Sequence, residues 1–260
     1  RPFRLGFSCL LAATCLGFST SAFADSGTQS QIFVDGVGGG EAFSVLPNEE
    51  ISLTGSARNV ASVPCGSVSG SCDVPYGPTA SGDAYARSEI GANHLSVRGS
   101  YVYSTLAPAN ARAATFAAGV SASAFSTWYD TWNVTGTPST GPITVTLRGS
   151  IDYDVVVHGN FWESGPQMLG MYGYEFRLKV GPYDDAVKLT RPDFDGSGPL
   201  TWEYSMQWDG GPLFVYSTFS AFAGRVGAGG GCSECTGSVL FDAAHTARFD
   251  LIQVSDGATI

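Results

Sequence analysis

Positive charge is scarce in this chain: 13 Lys and Arg stand against 23 Asp and Glu in 260 residues, a net charge of −10. Nucleic acids and anionic lipid surfaces are held by Lys and Arg neutralising phosphate, so this balance argues against both as partners. Charge of either sign is sparse, at 14%, where soluble domains ordinarily carry about 25%. Long apolar runs are missing as well. No stretch reaches the roughly 20 residues that a membrane-crossing helix needs.

Patterns that carry catalysis are equally thin. The histidines are His94, His158 and His245, too scattered to form the His-x-x-x-His spacing of a zinc site. There is no Gly-x-Ser-x-Gly elbow to support a nucleophilic hydrolase. Glycoside hydrolysis needs two opposed carboxyl groups. Asp152, Asp154, Glu163, Glu175 and Glu203 form no such signature and read as strand or loop carboxylates facing water.

The longest apolar run, Leu5 to Phe18, follows Arg1 and Arg4 and leads into Ser19-Thr20-Ser21-Ala22-Phe23-Ala24. A short basic region, an apolar stretch of this length and a small-x-small ending describe a secretory signal cleaved after Ala24. The expected organisation is a signal peptide over 1–24 and one β-sandwich domain over 25–260, with a loop-rich N-terminal part. Beyond the signal lie Cys65, Cys72, Cys232 and Cys235. An even number in an exported chain favours disulfides. Local pairing, Cys65 with Cys72 and Cys232 with Cys235, is the simplest of three. The alternative is a zinc site made by both pairs, though no His joins them.

What the chain has in abundance is glycine, with 34 residues, and two-residue alternation. Ile143, Val145, Leu147, Ile151, Tyr153, Val155 and Val157 share one face of a segment. Thr144, Thr146, Arg148, Ser150, Asp152 and Asp154 share the other. Side chains alternate across a strand, so this is a half-buried strand, long or bent at Gly149. The period returns in Tyr174-Phe176-Leu178-Val180, in Leu200-Trp202-Tyr204-Met206-Trp208, and from Val120 through Ala122, Ala124, Trp128 and Trp132 to Val134. Turn signals at Gly136-Thr137-Pro138, Gly181-Pro182, Asp195 to Pro199 and Asp209 to Pro212 separate these runs. The fold expected is all-β, an antiparallel sandwich of jelly-roll type. Residues 59–82, with Pro64, Pro75 and Pro78, read as a long loop, and Ala107 to Ala118 is the one helix candidate after the signal.

Two constellations point to ligands. Asp193, Asp195 and Ser197, with Gly196 and Gly198, resemble the opening of a calcium loop, in which alternate oxygens converge on a hard ion. Tyr204 stands where the closing carboxylate belongs, so a plain turn between strands is the competing reading. Calcium is the one cofactor implied. The five tryptophans could supply a sugar-stacking platform, but Trp128, Trp132, Trp202 and Trp208 fall on apolar strand faces, where core packing is the better expectation. Trp162, beside Gly159-Asn160-Phe161, remains the ligand-binding candidate.

Three segments resemble those of a known family. Ser81-Gly82-Asp83-Ala84-Tyr85-Ala86-Arg87 leads into Gly91-Ala92-Asn93-His94-Leu95. Ser121 to Gly136 runs from small residues into an aromatic, Asp-Thr and an apolar-Thr-Gly turn. Phe241-Asp242-Ala243-Ala244-His245-Thr246-Ala247 precedes Val254-Ser255-Asp256-Gly257-Ala258. In this order, after a signal, they are similar to PEP-CTERM proteins. The resemblance implies export by a Gram-negative bacterium that makes extracellular polysaccharide. It also implies an exosortase as partner if a sorting tail follows Ile260. The family shares no catalytic residues. The expected function is therefore non-enzymatic: a secreted or cell-surface matrix protein associated with biofilm exopolysaccharide. The alternatives are a carbohydrate-binding module, supported by calcium or not, and a jelly-roll glycoside hydrolase.

Overall fold

A computed structural model describes residues 26–35, 39–65, 70–104, 113–115, 120–136, 142–159, 171–190, 193–194, 196–224, 234–255 and 258–260. In chain order its strands are β1 (Ser26–Val34), β2 (Gly40–Ser44), β3 (Glu50–Cys65), β4 (Gly70–Glu89), β5 (Ala92–Ser104), β6 (Ala113–Thr115) and β7 (Ala122–Gly136). They continue as β8 (Ile143–Gly159), β9 (Met171–Val180), β10 (Tyr183–Thr190), β11 (Leu200–Trp208), β12 (Gly211–Gly224), β13 (Glu234–Val254) and β14 (Ala258–Thr259). Among the described residues there is no α-helix.

Two seven-stranded antiparallel sheets face each other. The first runs β10-β9-β12-β7-β1-β2, with β14 on the end of β7; the second runs β11-β8-β13-β5-β4-β3-β6. From β7 to β13 the chain changes sheet at every step except the β9–β10 hairpin, which is the jelly-roll manner of building two sheets at once. The alternating segments behave as their period requires. On β8, Ile143, Val145, Leu147 and Ile151 are buried while Arg148, Asp152 and Asp154 are exposed. On β7, Ala122, Ala124, Trp128 and Val134 point inward. β8 does not break at Gly149. A Cβ there would stand 2.3 Å from the Trp202 ring and 2.6 Å from the Arg248 carbonyl, so glycine lets β11 and β13 close on both sides of the strand.

Two expectations are corrected. Of the expected loop 59–82, residues 59–65 belong to β3 and residues 70–82 to β4, which pair with each other; residues 66–69 lie outside the described residues. Its prolines misled because they sit where the ladder tolerates them. Pro78 lies in the bulge between Arg58–Thr79 and Asn59–Tyr76, and Pro75 lies where β4 has no second neighbour among the described residues, since its pairing with β5 begins at Ser81. Within the helix candidate Ala107–Ala118, residues 113–115 form β6, paired with β3; the rest of that candidate, apart from these three, lies outside the described residues. The N-terminal part is likewise built of strands, with β1 in the interior of its sheet between β7 and β2.

Part of the core is a cluster of aromatic rings. Tyr174 stacks on Phe241 at 4.3 Å between ring centroids. Phe194, from the β10–β11 connection, drives in edge-on against Tyr153 at 5.0 Å, Tyr174 at 5.2 Å and Phe241 at 5.8 Å. Edge-to-face contacts of this kind add about 0.5–1.5 kcal/mol each beyond burial. The Tyr174 hydroxyl closes the cluster by donating to the Phe194 carbonyl at 3.2 Å.

At the β4–β5 turn the interface becomes polar. Gly91 makes this tight turn with φ of 85°, a conformation that costs glycine little. Just inside it, Asn93 is fully buried and reaches across to the other sheet. Its amide donates to Ser126 Oγ on β7 at 3.1 Å, and its oxygen accepts from Ser217 Oγ on β12 at 2.7 Å. Ser126 Oγ in turn donates to the Arg87 carbonyl at 2.9 Å, and Ser30 on β1 bonds Ser88 on β4 at 2.8 Å. Buried polar groups are tolerable only when paired, and these are paired mainly between sheets.

Phe194→Ala empties a site ringed by aromatics and should lower unfolding stability by about 3–5 kcal/mol in urea titration. Asn93→Ala strands the Ser217 hydroxyl and should cost about 1–3 kcal/mol. Adding Ser217→Ala to Asn93→Ala should cost less than Ser217→Ala alone, since the two act as one unit in a double-mutant cycle.

Candidate functional site

The residues singled out in the sequence fall only partly among the described ones. Asp193 turns its carboxylate back on the chain and accepts from the Thr190 backbone N–H at 2.7 Å. Ser197 pairs with Asp154 in an isolated bridge, and Asp195 lies outside the described residues. What the segment does visibly is deliver Phe194 to the core. No cluster of three or more His, Cys, Asp or Glu able to hold a metal occurs among the described residues. Trp162 and Glu163 lie outside them too. Trp128 is a core residue at 1% exposure, and Trp132, Trp202 and Trp208 pack against the core, as their strand faces predict.

Cys65 lies opposite Gly70, and Cys72 opposite Val63, a diagonal step apart in the β3–β4 register. Cys235 lies opposite Tyr103, and Cys232 is outside the described residues. Of the carboxylates, Glu203 pairs with Arg148 at 2.5 Å and Glu175 with Arg177 at 2.5 Å. Asp154 stands opposite Asp242 on the outer face of the second sheet, and Asp242 accepts from the Ala244 backbone N–H at 2.9 Å. His94 is buried between the Ala244 carbonyl at 2.8 Å and Glu89 at 3.1 Å, and His158 is exposed.

A different surface gathers chemistry of one kind. The outer face of the first sheet carries a band of aromatic rings across β12, β7, β1 and β2. It is built by the same alternation that builds the core. On β12, Leu213, Val215, Phe219 and Ala221 point inward, so Phe214, Tyr216, Thr218, Ser220 and Phe222 point out. Opposite them on β7 stand Thr131, Tyr129, Thr127, Phe125 and Ser123 in that order, Thr127 itself being covered at 3% exposure. On the other side of β7, β1 presents Gly27, Gln29, Gln31 and Phe33, and β2 adds Phe43 and Glu41.

Two aromatic groups result. Phe214 and Tyr216 lie nearly parallel at 6.4 Å, with Tyr129 at 6.2 Å from Phe214. Phe125, Phe222, Phe33 and Phe43 form the other group, four residues further along β7, or about 13 Å at strand rise. Phe33, Phe43 and Phe222 are 44%, 54% and 42% exposed, high values for large apolar side chains. Between the groups run Thr127, Thr218 and Gln29. The Thr127 hydroxyl is spent on the Ser217 carbonyl at 2.7 Å.

Two glycines lay rings down on the sheet. A Cβ at Gly27 would fall 2.3 Å from the Tyr129 ring, and one at Gly173 would fall 2.6 Å from the Phe222 ring. Each ring therefore lies across a neighbouring strand where a side chain is missing, so that it covers backbone rather than standing upright.

Beyond β12 the face becomes charged. Arg177 holds Glu175 and Asp185, Lys179 holds Asp184, and Lys188 reaches Glu175 at 3.9 Å. The bonded Glu175 carboxylate raises the Arg177 pKa above its usual value. Sequence reasoning missed this surface because it looked for tryptophan. The available signal was the second face of each apolar strand: Phe125 and Tyr129 on β7, and Phe214, Tyr216 and Phe222 on β12, all at positions of the polar phase.

Known proteins give no counterpart: no family model matches the chain, and neither does any curated protein or solved structure.

Proposed function

We propose that the protein is a non-catalytic, polysaccharide-binding β-sandwich that works outside the cytoplasm as a surface or extracellular-matrix component. The observation that carries this reading is the band of aromatic rings, two of them laid down over glycines, interleaved with hydroxyl and amide side chains. A sugar ring offers an apolar C–H face and a rim of hydroxyl groups. An aromatic face meets the first, and Thr, Ser and Gln meet the second. A band that spans several strands suits a chain of sugars better than a single one. Tyrosine and phenylalanine of this kind also hold contact area at small entropic cost, since each has only two rotatable bonds to fix.

Export is supported by the signal-like residues 1–24, by the even number of cysteines beyond them and by the resemblance to PEP-CTERM proteins, which also motivates extracellular polysaccharide as the partner. Exosortase sorting is part of the same proposal, conditional on a tail after Ile260. Calcium enters only as support for the Asp193–Ser197 segment, and the binding experiment reads it directly.

The test is co-sedimentation of the purified protein with a panel of insoluble polysaccharides. Binding should be saturable to at least one member. Phe214→Ala with Tyr216→Ala removes two rings worth about 0.5–1.5 kcal/mol each beyond their area, which weakens binding by about tenfold or more. Both side chains lie on the outer face, so the thermal midpoint should move little. Repeating the assay in EDTA measures any calcium contribution. A protein that sediments with no polysaccharide, or a double variant that binds as well as the parent, would overturn the reading.

A further inference from the structure

We infer that the aromatic band selects neutral polysaccharide chains over anionic ones. This rests on the polysaccharide-binding reading and goes beyond it in naming the ligand's charge.

Binding a uronate, sulfate or phosphate group on a sugar requires a cation that is free to meet it. Among the described residues, each cation flanking the rings on this face is already matched. Arg177 donates from Nε to Glu175 at 2.5 Å and faces Asp185 at 3.7 Å. Lys179 is held by Asp184, and Lys188 faces Glu175. A polymer anion would have to displace a carboxylate from each before gaining anything.

Among the described residues the other flank, β1 and β2, adds no cation. There Glu41 accepts from the Gln31 amide at 2.5 Å beside Phe33 and Phe43. The rings themselves are uncharged, and their faces are electron-rich, which repels an anion set over them. Beyond contact range the whole chain opposes a polyanion, with a net charge of −10. Like charge lowers the encounter rate at moderate salt, and juxtaposed like charges are costly on contact. A neutral chain meets none of these penalties and keeps the stacking and hydrogen bonding that the band offers.

The experiment is affinity electrophoresis of the full chain through native gels that contain matched polymers. Hydroxyethylcellulose is run against carboxymethylcellulose and dextran against dextran sulfate, with galactomannan and xyloglucan as further neutral chains. Retardation by at least one neutral polymer is expected, with anionic polymers about tenfold weaker or more. Asp184→Asn with Asp185→Asn sits outside the band and releases Lys179 and one side of Arg177. It should raise retention by the anionic polymers and leave neutral retention as it was. Equal retention by both classes, stronger retention by the anionic class, or no anionic gain in the double variant would overturn the charge selectivity while leaving polysaccharide binding intact. Retardation by no polymer at all would instead overturn the functional reading and this inference with it. A dimer in light scattering that Phe33→Ala and Phe43→Ala dissolve would do the same, because the band would then be an interface between copies.

Discussion

The sealing of one sheet's apolar face against the other's is the constraint on which the remaining structure depends. Side chains alternate along a strand, so committing Leu213, Val215, Phe219 and Ala221 to the interior fixes Phe214, Tyr216 and Phe222 on the outside. A slip of one residue would exchange the two sets and expose the core. The outer aromatic band is thus not an independent feature. It is the second phase of the strands that make the core, held in place by the cost of moving the first.

That coupling explains which parts of the fold could be read from the sequence. Strands β8, β9 and β11 announce themselves because apolar and polar residues alternate over seven or more positions in each. The β3–β4 hairpin does not. Its prolines and glycines carry the composition of a loop, and only the pairing partners reveal that Pro78 falls in a bulge and Pro75 outside the β4–β5 ladder. Edge position is a property of the assembled sheet, and no local window contains it.

The candidate site was legible only in pieces. Four tryptophans were assigned to packing by their strand phase, and they pack. Phe125 and Tyr129 could be seen on the opposite phase, but nothing local joins them to Phe214 or Phe33. Cross-strand register does that, by setting Tyr129 opposite Tyr216 and Gln31 opposite Phe125. The glycines were still less visible. Gly27 looks like part of a loop-rich N-terminal stretch until the Tyr129 ring is found lying over it. Its missing side chain is then what turns a protruding ring into a flat one.

The buried amide of Asn93 has a mechanical consequence. Apolar surfaces slide over one another at little cost, because dispersion and desolvation have no preferred direction. Hydrogen bonds do. By gripping Ser126 and Ser217 at once, Asn93 pins the sheet that bears the rings to the sheet behind it. Drag along the outer face would therefore load these bonds in shear together, and the sandwich would resist as one slab rather than as two sliding leaves.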